Sequence, residues 1–162
     1  MNNVLSDTRI SAYLTCPRKH FWRYEVELIP KEKSESRRFG SAWARAMEAR
    51  WNGQGYDDAL AAALPNNVDL DPMACGTVAS MLAAYYKFYG TEDAQLVQQI
   101  YPEVSFDYQL PGSRTFRIKG KIDALSQLHD GRVVLWEHKT SGEDIGPDSD
   151  YWMRLRFNGQ VL

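Results

Sequence analysis

Between residues 7 and 90 the apolar positions of this chain recur three and four apart; between 97 and 136 they alternate. The first pattern predicts helices. Ser6 or Asp7 can cap one that carries Ile10, Tyr13 and Leu14, and Pro17 should bend or restart it before the aromatic run Phe21, Trp22, Tyr24. Pro30 to Ser36 is polar and reads as a loop. A second helix places Phe39, Trp43, Ala46, Met47 and Arg50 on one face and stops near Gly53. Asp57 to Leu64 is a short alanine-rich helix ended by Pro65. Asp71 and Pro72 suit an N-cap and first turn, opening a helix through Met81, Leu82, Tyr85 and Phe88 that Gly90 should close.

The second pattern predicts strands. Val104, Phe106 and Tyr108 alternate before a turn at Pro111-Gly112; Phe116, Ile118 and Ile122 alternate before a turn at His129-Asp130-Gly131. The stretch Val133 to Thr140, VVLWEHKT, follows. Gly142 to Asp150 reads as an acidic loop, and Asp148, Ser149 or Asp150 can cap a last helix. Helices, a three-strand antiparallel meander and a helix make one α/β (α+β) domain over residues 1–162, helical in its N-terminal half.

Composition changes this picture little. At 162 residues, 44% hydrophobic and 25% charged, the chain has room for one real core. No apolar run approaches a membrane span and the start lacks a signal-peptide pattern, so a cytoplasmic protein without a membrane partner is expected. Two cysteines, Cys16 and Cys75, make no disulfide framework, and both read as small buried residues. A net charge of −2 excludes a uniformly basic nucleic-acid coat. Arg18, Lys19, Arg23, Lys31, Lys33, Arg37 and Arg38 nevertheless crowd one region, interrupted by Glu25, Glu27, Glu32 and Glu35. Alone, that cluster reads as a solvated mixed-charge face.

VVLWEHKT carries the chemistry. Four apolar residues run into a carboxylate and an ammonium on alternate positions, so Glu137 and Lys139 share a face while Trp136 and His138 point the other way. The turn decides what lies opposite. A three-residue loop, His129-Asp130-Gly131, puts Leu128 across from Arg132 and Asp123 across from Glu137. A two-residue loop, Asp130-Gly131, would put Asp123 opposite His138 and split the acids between faces. In the first case two carboxylates face each other at about 5 Å between Cβ atoms, which calls for a cation between them. Hard oxygen ligands open to water suit Mg²⁺ or Mn²⁺, and a neighbouring lysine can hold a water and offset charge on a phosphate. A bare Glu-x-Lys match is more often a surface ion pair.

Gly120-Lys121-Ile122-Asp123 followed by Glu137-His138-Lys139-Thr140 resembles the core of the PD-(D/E)XK nuclease superfamily, and more narrowly its RecB-type exonuclease branch. YLTCPRKHFWRY (Tyr13–Tyr24) is similar to that branch's Cys-Pro segment, and RFGSAWARAME (Arg38–Glu48) to its first helical motif. YPEVSF (Tyr101–Phe106) is similar to its glutamate strand, and LRFNGQ (Leu155–Gln160) to the start of its final motif. The resemblance implies a restriction-endonuclease-like mixed sheet flanked by helices, and Mg²⁺- or Mn²⁺-dependent exonucleolytic DNA cleavage in recombination, repair or phage DNA processing. It implies Asp123, Glu137 and Lys139 as catalytic positions with Gln160 in support. Asp123, Glu137 and the His138 backbone carbonyl would ligate metal, with Glu103 and Glu48 as further candidates. Arg18, Lys19, Arg23, Arg37, Arg38 and Thr140 would contact DNA, and Phe21, Trp22 and Tyr24 offer rings either to unpaired bases or to the core. DNA is the implied partner, with a helicase or recombination protein as a second.

The chain departs from the pattern in three places. Ala44 stands where the family usually has a metal-binding His, with Glu48 one turn later on that face. The sequence ends at Leu162, before the family's tyrosine, so a domain lacking the last helix and strands is expected. Cys16 occupies the early position of an iron–sulfur site without the three late cysteines, so no cluster is expected. These departures leave a catalytically impaired DNA-binding remnant, or a purely structural partner-binding domain, as alternatives. No zinc spacing, phosphate-binding G-x-x-x-x-G-K-[ST] or G-x-S-x-G is present. His20 reads as a surface contact, and the Trp43, Met47, Trp51 ladder as core.

Overall fold

A computed structural model describes residues 3–66 and 68–142. In chain order the elements are β1 (Val4–Leu5), α1 (Asp7–Thr15), α2 (Pro17–His20), a π-helical segment (Phe21–Glu25), α3 (Glu35–Trp51), α4 (Tyr56–Ala63), α5 (Pro72–Leu96), β2 (Val97–Gln109), β3 (Arg117–Leu128) and β4 (Val133–Trp136). They form a mixed α/β fold. The expected last helix and acidic loop lie outside the described residues.

Two of the helices, α1 and α5, begin where a side chain answers a free amide. Ser6 Oγ accepts from the Arg9 amide, and Asp71 Oδ1 from the Ala74 amide at 2.9 Å, with Pro72 in the first turn, where its missing donor costs nothing. Pro17 restarts the chain as α2, as its ring requires. Arg9 then ties this region together. Its buried guanidinium donates to the Val4 carbonyl at 3.0 Å, His20 Nε2 at 3.2 Å and Glu25 Oε1 at 2.6 Å, so its charge is paired and its donors are used.

α3 supplies most of the core. Ala42, Trp43, Ala46, Met47, Ala49 and Trp51 are buried, and they pack with Ala59 and Ala63 of α4, Val78 and Leu82 of α5 and Ala124 of β3. Small residues dominate the α3–α4 contact, which lets the helices approach closely. Gly53 takes φ 81° just beyond α3, where a left-handed end favours glycine.

Gly90 does not end α5, contrary to the sequence expectation; the helix runs on to Leu96. The reason lies one turn further. Asp93 is buried, accepts from the Tyr85 hydroxyl at 3.0 Å and faces the Arg50 guanidinium at 3.5 Å, while Arg50 also donates to the Gly90 carbonyl. That network offsets the cost of about 1 kcal/mol for a helical glycine. Cys16 and Cys75 are half-buried, not buried, and Cys75 sits in the first turn of α5.

The sheet is built around β3. β2 pairs antiparallel with it from Gln99–Gln127 to Gln109–Arg117. On the other edge β1 runs parallel at Arg117 and Ile118, while β4 runs antiparallel from Gln127–Val133 to Ala124–Trp136. β1 turns the expected meander into a mixed sheet. Gly120 lies directly across from Phe106, and a Cβ there would strike the Phe106 ring, Cε1 at 2.7 Å. The ring therefore lies over the glycine and covers the bare backbone. Even-numbered β3 residues Ala124, Ser126 and Leu128 face the helices and are buried; odd-numbered Lys119, Lys121, Asp123 and Leu125 face away.

Candidate active site

The hairpin loop has the odd length: the Leu128 amide donates to the Arg132 carbonyl at 2.8 Å, and Gly131, at φ 87°, donates back to Leu128. Counting from the last paired rung, Ala124–Trp136, Asp123 comes opposite Glu137 and Lys121 opposite Lys139. The ladder ends at that rung. Beyond it the His138 amide donates to Asp123 Oδ2 at 2.7 Å, so a carboxylate replaces the backbone acceptor and the two strands part. Asp123 is half-buried and oriented by this bond; Glu137 is more open, and its Oε1 meets the Lys139 ammonium. As an exposed ion pair, Glu137–Lys139 contributes little to stability.

Glu103 occupies the slot of β2 opposite Asp123, between the pairs Pro102–Ala124 and Val104–Ile122. Its φ is 57°, an unusual conformation for a residue with a side chain, and its carboxylate pairs with Lys121. The row Glu103, Lys121, Asp123, Glu137, Lys139 thus lies on the sheet face turned away from the core. Sequence reasoning missed Lys119 and Lys121. The signal was present: in Lys119-Gly120-Lys121-Ile122-Asp123 the two lysines alternate with Asp123 and must share its face.

His138 points to the opposite face, as its position on the strand requires. Its Nε2 accepts from Trp51 Nε1 at 2.9 Å, its ring stacks on Trp51 at 24° between planes, and Tyr85 approaches edge-on. The acceptor role places the ring proton on Nδ1. Burial lowers the His138 pKa below the ordinary 6.5, against the pull of the Asp123, Glu137 and Asp93 carboxylates. The unfolded chain therefore takes up a proton near pH 6.5 and the folded one only at lower pH. Stability is complete above that range and falls as the pH drops through it. Urea midpoints measured in chelator at pH 7.5 and 5.5 should fall for the parent, whereas His138→Gln, which keeps an acceptor and cannot titrate, should flatten the difference.

The remaining candidates do not join this row. Glu48 and Ala44 are exposed on α3, whose buried side packs on the core face of the sheet. Thr140 also turns that way, with Oγ1 3.7 Å from the position a Cβ would take at Gly40. Arg18 and Lys19 are exposed on α2, and Arg23 lies over Tyr24. Arg37 is exposed on α3, while Arg38 pairs with Asp69 at 3.2 Å and donates to the Lys33 carbonyl. Phe21 and Trp22 are about half exposed and meet edge to face at 5.3 Å; Tyr24 is half-buried. His20 is half-buried and bonded to Arg9. Gln160 lies outside the described residues.

Among the described residues, no three His, Cys, Asp or Glu side chains converge as a closed metal cage. The donor set instead fits an open site, because Mg²⁺ keeps several waters and is commonly held by one or two carboxylates. No described helix is long and apolar enough to cross a membrane. No curated protein matches the chain significantly. The family model for the PD-(D/E)XK nuclease superfamily matches residues 4–161, nearly the whole sequence. The chain belongs to the PD-(D/E)XK nuclease superfamily.

Proposed function

We propose that this chain is a divalent-metal-dependent DNA nuclease of the RecB type, acting as an exonuclease. The observation that carries the reading is the parting of β3 and β4 at Asp123 and Glu137, with the Asp123 carboxylate held by the His138 amide at 2.7 Å and Lys139 against Glu137. Nucleases of this superfamily generally use divalent metals such as Mg²⁺. Asp123 and Glu137 are the groups that would hold Mg²⁺ or Mn²⁺, with Glu103 and the His138 carbonyl as adjacent oxygen donors. The ion would polarise the phosphate and lower the pKa of a bound water.

The chain's own residues do the rest. The His138 amide fixes the Asp123 carboxylate through Oδ2. Lys139 orients the attacking water and offsets negative charge as it builds on the phosphate oxygens. In-line attack forms the new P–O bond while the bond to the 3′ oxygen breaks, leaving a 5′-phosphate and a 3′-hydroxyl. Arg18, Lys19, Arg23 and Arg37 would anchor flanking phosphates, and exposed Phe21 and Trp22 suit unpaired bases.

The test is direct. End-labelled single- and double-stranded DNA incubated with the protein and Mg²⁺ or Mn²⁺ should be shortened progressively from an end. EDTA should stop the reaction and Mn²⁺ restore it. A second reading, a DNA-binding remnant, is favoured by Ala44, because the exposed face of α3 offers no histidine where the family usually has one. Metal-independent DNA binding without cleavage would select the remnant.

A further inference from the structure

Beside the acid pair is a cleft of about 580 Å³ walled by β3, the segment after β4 and the start of α1. Among the described residues its charged lining is Lys119, Lys121 and Lys139 against Asp7 and Glu137, a cationic excess. Lys119, Lys121 and Asp123 occupy alternate positions of one strand face and are spaced about 7 Å apart. That interval is close to the distance between successive phosphates of an extended nucleic-acid strand.

The two lysines differ in what they already hold. Lys121 is paired with Glu103. Lys119 is exposed, and among the described residues no carboxylate lies within ion-pair distance of it. Its register partner Asp107 is taken by Arg117 at 2.8 Å. An ammonium without a carboxylate partner among the described residues, inside this cleft and in line with the acid pair, is suited to an external anion.

We propose that Lys119 is a phosphate-binding residue for the nucleic-acid strand. It holds the phosphate two positions from the one at Asp123 and Glu137, and Lys121 flanks the phosphate between. The location of the reacting phosphate rests on the nuclease reading. The anion site itself does not.

The experiment measures binding without cleavage. Anisotropy of a fluorescein-labelled oligothymidylate is followed in EDTA through a sodium chloride series with the full chain. Lys119→Ala should weaken binding several-fold at low salt and make the slope of log K against log salt shallower by about 0.7, the value for one lost phosphate contact on a single strand. Lys119→Arg should restore both. Lys87→Ala, an exposed lysine on α5 outside the cleft, should leave the slope unchanged, and circular dichroism should report the parent fold in all three. An unchanged slope in Lys119→Ala, an equal loss in Lys87→Ala, or a parent chain that does not bind overturns the proposal. The two readings fail separately. Lys119-dependent binding without cleavage in Mg²⁺ sinks only the nuclease reading; cleavage with KM and salt slope indifferent to Lys119→Ala sinks only this one.

Discussion

Glu137→Gln is expected to slow DNA cleavage by about a thousand-fold. The substitution keeps shape and polarity, so the exposed strand end should fold as before. It removes one of the two acids proposed to hold a divalent ion, leaving Asp123 as the remaining carboxylate of the pair. Loss of Lewis-acid assistance costs several kcal/mol of barrier, and about 4 kcal/mol corresponds to that factor. The amide can still accept from Lys139, so the ammonium keeps this neighbour without its charge. Binding should be unchanged or slightly tighter, because an anion facing the phosphate backbone has gone. Single-turnover cleavage with protein in excess measures the rate; anisotropy in EDTA measures binding. A rate within tenfold of the parent would remove Glu137 from the chemistry.

Trp51→Ala should be the most damaging change away from the acids, costing about 3–5 kcal/mol. That is a large share of the stability of a domain this size. Trp51 is buried, packs against Trp136 at 5.4 Å between ring centroids and donates to His138 from its indole nitrogen. Truncation opens a cavity under β4 and leaves a buried imidazole nitrogen without its donor. Trp51→Phe separates the two effects: it keeps most of the volume and removes only the hydrogen bond, for about 1–3 kcal/mol. Urea denaturation of the three proteins gives the order. If Trp51→Ala loses less than about 1 kcal/mol, α3 does not anchor β4 as described. Trp51→Phe should also lower cleavage more than its stability implies, since His138 lies between Glu137 and Lys139, the two residues proposed to act on the phosphate.

Much of this architecture was legible in the residues, and the exceptions have physical causes. His129-Asp130-Gly131 admitted two loop lengths; the odd one is observed, with a positive φ at Gly131 but not at Asp130, where a two-residue type I′ turn would need both. From that loop the register of β3 against β4 follows by counting. β1 escaped notice because two residues carry no periodicity; its place depends on a pairing with β3, more than a hundred residues away in sequence. The extension of α5 past Gly90 depends on Arg50 and Tyr85 meeting Asp93, and no local pattern reports that contact. The positive φ of Glu103 is equally invisible, since glutamate is a residue from which a left-handed backbone is not expected. The cationic face on β3 is different in kind. Its lysines alternate with Asp123 in the sequence, but alternating lysines are also what an ordinary solvated strand face carries, so the pattern alone does not mark a site.

The parting of β3 and β4 has a mechanical consequence. The acids sit at the mouth of a fork where the His138 amide bonds the Asp123 carboxylate, while the paired rungs lie behind it. Widening that mouth begins at a side-chain bond, ahead of the peptide hydrogen bonds at the base of the fork. The bond at the opening is thus distinct from the ladder that frames it.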